Sequence, residues 1–161
     1  MALDITKILK TKKKLLFEAW MQNQLASEAL REDLVSNQDL RVTSEELIDA
    51  LLQNLTPESL DSPNSGSFDA VLDILAGISM ERAQQGFSPR ETGLFVLSLK
   101  EALLTTLHEE IKDDPRALYE QSLKLGRIMD HFAINSFETF IKGREEVILR
   151  QRTRSPRSPH P

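Results

Sequence analysis

A chain of 161 residues with a net charge of -5 and 40% hydrophobic residues has the make-up of one globular domain. At that length it buries roughly two thirds of its unfolded surface. It holds no cysteine, which excludes disulfide frameworks, thiolate zinc sites and cysteine nucleophiles. No apolar run approaches the about 18 residues of a spanning helix. The N-terminus MALDITKILK has no apolar core followed by a small-residue cleavage site, so the expected location is the cytoplasm.

From the N-terminus, Ile5, Ile8, Leu9, Leu15, Leu16, Ala19 and Trp20 recur at helical spacing and predict one amphipathic helix over Asp4 to Gln24. SEALREDLVS reads as a short helix capped by Ser27, and TSEELIDALLQNL as a second, capped by Thr43 or Ser44. TPESLDSPNSGS, residues 56–67, carries two prolines, a glycine and several serines and aspartates, and reads as the one long loop. Phe68, Val71, Leu72, Leu75, Ile78, Ser79 and Arg82 then form a helical stripe that Gly86 ends as a C-cap.

The next start is spelled out residue by residue. Ser88 is an N-cap, Pro89 takes the first helical position, and Glu91 completes a capping box at N3. Phe87 precedes the cap and is expected to pack on the body. Leu94 to Leu97 are four consecutive apolar residues, which predicts an interior helix running to about Ile111. Gly93 within it implies a close contact with a neighbouring helix or a ligand, because a mid-helix glycine costs about 1 kcal/mol against alanine. Asp113 or Asp114 caps the last helix, with Pro115 at N1. Its apolar stripe continues past Ile148, on the order of 50 Å, so its far end must leave the body. Pro156 and Pro159 stop any helix at about Thr153. The expected organisation is a helical domain over 1–151 and a disordered basic tail over 152–161, and the fold class is all-α.

Charge is segregated. Residues 1–14 carry five lysines against one aspartate, and residues 142–161 one lysine and five arginines against two glutamates. Each end is thus +4, which leaves -13 for the middle of a chain whose total is -5. Such a middle repels nucleic acid, so no nucleic-acid partner is expected, although the basic ends leave room for contact with an anionic partner; without a spanning helix no membrane partner is expected.

No Ser/His/Asp order, HExxH, P-loop, GxGxxG or EF-hand pattern occurs. The pairs Glu45/Glu46, Glu109/Glu110 and Asp113/Asp114 are adjacent in sequence and diverge by about 100° on a helix, so they read as caps and solvated faces. Of three histidines, His131 lies in the long apolar stripe and His108 near the end of the preceding helix. A buried histidine among Phe95, Leu99, Met129 and Phe132 is one arrangement for a proximal haem ligand, with His131 ahead of His108. The competing reading is a histidine with its ring nitrogens satisfied and no cofactor.

Four stretches carry a family likeness: WMQNQLASEALREDL, ELIDALLQNL, ERAQQGFSPRETGLFVLSLKEALL and FETFIKGREEVILRQ. In this order, over about residues 10 to 151, they resemble the N-terminal domain of RsbR-type (RsbRD) co-antagonist proteins of the bacterial stressosome. The resemblance implies a single globin-like helical domain without haem or other cofactor. It also implies a homodimer whose long C-terminal helix serves signalling and leads to a STAS domain; related input domains precede sensor kinases. In that family the STAS domain carries the phosphorylated threonines, and none of them transfers to a residue here. The expectation is therefore a non-enzymatic input domain with no catalytic or metal residues. Phe132, Phe137, Phe140 and Ile141 are its candidates for core or dimer packing along the signalling helix. Two alternatives stay open: a haem- or small-ligand-binding globin-like sensor using His131, and a pure dimerisation or scaffold domain.

Overall fold

The computed structural model describes residues 3–27 and 31–154 and is all-helical over them. Seven helices follow in order: α1 (Ile5–Thr11), α2 (Lys13–Leu25), α3 (Asn37–Asn54), α4 (Pro57–Asp61), α5 (Asp69–Gln85), α6 (Pro89–Ile111) and α7 (Pro115–Arg154). The tail beyond Arg154 lies outside the described residues.

The starts and stops written most fully in the sequence hold. Ser88 accepts from the Glu91 N–H at 3.1 Å and the Glu91 carboxylate accepts from the Ser88 N–H at 2.7 Å, with Pro89 at N1. Gly86 caps α5 in the left-handed region, at φ 95°. Asp114 opens α7, its carboxylate accepting from the Ala117 N–H at 3.1 Å. α7 is 40 residues long, about 60 Å at 1.5 Å per residue.

Four expectations are corrected. The single N-terminal helix is two, because the Lys12 backbone leaves helical geometry (φ -97°, ψ 21°); the bend lays Ile5 and Leu9 on the core beside α3 and α6. Of the short helix expected over residues 27–36, residues 28–30 lie outside the described residues and 32–35 form a turn, where the Leu34 and Val35 N–H groups share the Arg31 carbonyl. α3 begins six residues before Thr43, capped by Ser36, because its buried stripe already starts at Leu40. Thr43 and Ser44 are interior, and the Ser44 hydroxyl accepts from the Gln24 side-chain amide at 3.0 Å. The first half of the expected loop is α4, held by a Thr56/Ser59 capping box with Pro57 at N1, which buries Leu60.

α7 packs along both α5 and α6, and α2 covers α6 from the other side. One hydrophobic cluster joins these helices with α1 and α3 around Trp20, Phe68, Phe95 and Phe132. A smaller cluster of Ala83, Phe87 and Phe140, with Leu34 and Val35 against it, ties the far end of α5 to α7. α6 is less enclosed than its four apolar residues suggested. Phe95 and Val96 are buried, whereas Leu97 is 45% exposed. The basic N-terminus folds back on the acidic middle, Lys12 pairing with Glu110 and Lys13 with Asp49.

Candidate functional site

α7 has two apolar faces. Leu125, Ile128, Met129, Phe132 and Phe140 are buried, none more than 1% exposed. Tyr119, Leu123, Ile134, Phe137, Ile141 and Ile148 are each at least 41% exposed. At about 100° per residue these six fall within an arc of about 60°, and that arc lies roughly 150° round the helix from the buried one. The outer stripe is interrupted by Asp130, which pairs with Lys100 of α6 at 2.8 Å. From residue 148 to 153 every side chain is exposed, so the helix continues beyond the body.

The four residues singled out in the sequence therefore divide. Phe132 belongs to the chain's own core, edge-on to Phe68 at 5.4 Å. Phe140 is fully buried against Ala83 and Phe87. Phe137 and Ile141, 45% and 41% exposed, lie on the outer stripe. His131 is half-buried beside Phe132, with the ring centroids 6.4 Å apart. Phe95, Leu99, Met129 and Phe132, proposed above as the wall of a haem pocket, pack together in the main core at no more than 4% exposure. His108 is exposed, 3.7 Å from the Glu109 carboxylate. Among the described residues no group of three or more His, Asp or Glu side chains is placed to hold a metal ion.

The inner face of α7 crosses α5 closely. The Ser79 and Ser136 hydroxyls are buried and 2.6 Å apart. About two turns further along α7, Gly143 meets Ala83 and Met80. Gly93, expected at such a contact, has nothing within 4 Å of where a Cβ would sit, so Gly143 is the glycine the packing requires.

Arg82 is the residue whose position the sequence pattern disguised. It occupies an apolar position of the α5 stripe and is only 9% exposed. Its guanidinium carbon lies 4.6 Å from the Phe87 ring centroid and 4.4 Å from that of Phe95. Burial pushes its pKa down to about 10, with Glu91 and Glu81 opposing the shift from a distance. Among the described residues no hydrogen bond or ion pair reaches this guanidinium, yet none of its nitrogens is sealed from solvent. Glu91 is already committed, both of its oxygens accepting from Arg31 at 3.2 Å. Arg82 lines a cleft of about 350 Å³ between α5 and the start of α3. It also lines a niche of about 30 Å³ toward Ser98 and Gln24. A charged residue standing where the helical stripe calls for an apolar one was the available signal.

An all-α body crossed by one helix that runs on past it is the architectural class here. A protein-family model described as the RsbT co-antagonist protein rsbRD N-terminal domain matches residues 15–155. The chain belongs to this family of regulatory input domains, which is not an enzyme family. No curated protein and no solved structure gives a significant match. No helix among the described residues is long and apolar enough to cross a membrane.

Proposed function

We propose that this chain is a cytoplasmic, non-enzymatic signal-input domain of the stressosome type. It works as a homodimer and passes a change of packing along α7 to an output partner, a STAS domain or a kinase. The observation that carries the reading is the outer stripe of α7. Ile134, Phe137, Ile141 and Ile148 are spaced three, four and seven residues apart, the a/d repeat of helices that pair in a left-handed coil. The repeat is broken once, by the exposed Arg144 between Ile141 and Ile148, yet apolar residues gathered on one exposed face in this way mark an interaction surface.

Relay requires two packings of α7 and something that binds them with different affinity. The inner face supplies close contacts to α5 at Ser136, Phe140 and Gly143, and the outer face supplies contacts to the second copy. A shift of α7 against α5 thereby alters the pairing of the two projecting ends.

Light scattering on the whole chain at tens of micromolar tests the dimer. A dimer that Phe137→Glu converts to a folded monomer, while the exposed Leu97→Glu on α6 leaves it intact, supports the reading. A wild-type monomer at that concentration sinks it.

A further inference from the structure

We propose that Arg82 anchors a binding site for a small monocarboxylate. The ligand's carboxylate pairs with the guanidinium, and its hydrocarbon part lies in the cleft between α5 and the start of α3. Four observations converge on this chemistry.

First, an arginine only 9% exposed, whose guanidinium has no carboxylate or carbonyl partner among the described residues, is held at a desolvation cost that its own chain does not offset by pairing. Two phenylalanine rings fix its position, which leaves its N–H edges available to a ligand while stabilising the charge only in part. Second, the space is of ligand size. The cleft of about 350 Å³ falls in the range of small-molecule sites, and Arg82 is among the residues that line it. Third, the walls are mixed in a way that selects the ligand. Leu34, Val35, Val42 and Ile78 offer apolar contact. Asp39 and Glu81 line the same cleft and repel a second negative charge. Nucleotides and other polyanions are therefore disfavoured. A single carboxylate matches the planar fork of an arginine in a bidentate pair.

Fourth, the site is wired to the helix that leaves the domain. Phe87, stacked near the guanidinium, packs on Phe140 of α7. Ala83, the next residue after Arg82, is one of the two residues, with Met80, that close on Gly143 of α7. Drawing Arg82 outward onto an anion disturbs both contacts. Only this coupling rests on the input-domain reading; the binding itself does not.

The single tryptophan provides the readout. Trp20 donates from its ring N–H to Ser98 Oγ at 2.9 Å, Ser98 lines the niche beside Arg82, and Phe95 lies between the two. The experiment titrates the whole chain with sodium propionate at constant ionic strength, exchanged against sodium chloride, and follows Trp20 fluorescence and melting temperature. Inorganic phosphate serves as the comparison anion.

The expected result is a saturable fluorescence change, with a melting temperature about 3–5 °C higher at ten times the propionate Kd. Phosphate should bind at least tenfold more weakly. Arg82→Met, which keeps an apolar stem of similar reach, should abolish the response and raise the melting temperature of the protein without propionate. Arg116→Met, which removes an exposed arginine paired with Glu120 at the start of α7, should retain the response. Should Arg82→Met not fold, the wild-type arginine Nε–H resonances, with that of Arg82 assigned from Arg82→Lys, report the same event. One resonance should shift with the fluorescence isotherm. No saturable response, an equal response in Arg82→Met, or phosphate binding as tightly as propionate would each overturn the proposal. A dimer that ignores propionate sinks this site and spares the dimer, while a monomer that binds propionate does the reverse.

Discussion

Gly143 of α7 lies so close to Ala83 of α5 that a Cβ added to it would stand 2.8 Å from the Ala83 Cβ. Met80 closes the other side, its sulfur 2.9 Å and its Cα 3.5 Å from the same point. The methionine sulfur can swing away, but the alanine carbon moves only with its backbone, so a methyl group at residue 143 forces the two helices apart. Overpacking of this kind costs about 1–3 kcal/mol, of which the better helix propensity of alanine returns up to about 1. Gly143→Ala is expected to destabilise the chain by on the order of 1 kcal/mol in a urea titration.

Gly93→Ala should do the opposite. Its backbone is helical and nothing stands within 4 Å of an added Cβ, so only the propensity gain remains. Stability should rise by about 0.5–1 kcal/mol, read from the urea midpoint at unchanged slope. A loss would mean that a neighbour approaches Gly93 in solution.

The Ser79–Ser136 pair fastens α5 to α7 in the interior. Removing one hydroxyl leaves the other buried without its partner, at a cost of about 1–3 kcal/mol, whereas removing both takes away donor and acceptor together. A double-mutant cycle of Ser79→Ala and Ser136→Ala should therefore show the double variant clearly more stable than the sum of the singles predicts. Strict additivity would show that the two hydroxyls do not interact.

Thr92 is 2% exposed, and its Oγ1 is the one buried side-chain polar atom without a hydrogen-bond partner among the described residues. Thr92→Val keeps the shape and replaces that hydroxyl by a methyl group. The expected gain is about 1 kcal/mol, since a buried unsatisfied group costs about 1–3 kcal/mol. A thermal melt of the variant checks it, and a lower melting temperature would count against an unpaired hydroxyl.

Glu91 sets part of the acid limit of the fold. Burial alone would raise its pKa, but the Ser88 N–H and the Arg31 guanidinium outweigh that and hold the carboxyl below its ordinary 4.5. A carboxylate with a lowered folded pKa contributes stability that is complete above about pH 4.5 and is lost as pH falls through the folded value. Glu91→Gln should be less stable at pH 7 and lose less on acidification from pH 5 to 3 than the parent. Asp4 and Asp33 shift the same way, Asp4 through Thr6 and Asp33 through Arg31, so part of the acid loss remains in the variant. Melting curves across that interval separate the contributions.

Local chemistry determined the helical class, the α6 start at Ser88–Pro89–Glu91, the α5 stop at Gly86 and the α7 start at Asp114–Pro115. Each depends on a few adjacent residues satisfying backbone groups that the helix leaves free. The same chemistry is present at Thr56–Pro57–Ser59, where the density of turn residues around it outweighs it in the sequence and masks α4. Tertiary structure decided the rest. Periodicity establishes that α7 is apolar, but Phe132 and Phe137 differ by five residues and point to opposite fates. Which is core depends on where α5 and α6 lie, and no window of α7 contains that. In the same way Gly93 and Gly143 are equivalent as residues in a helix, and only the crossing with Ala83 makes one of them necessary. Arg82 is an amphipathic stripe residue by spacing; the rings of Phe87 and Phe95 and the cleft beside α3 come together around it only when segments distant in the chain are packed against one another.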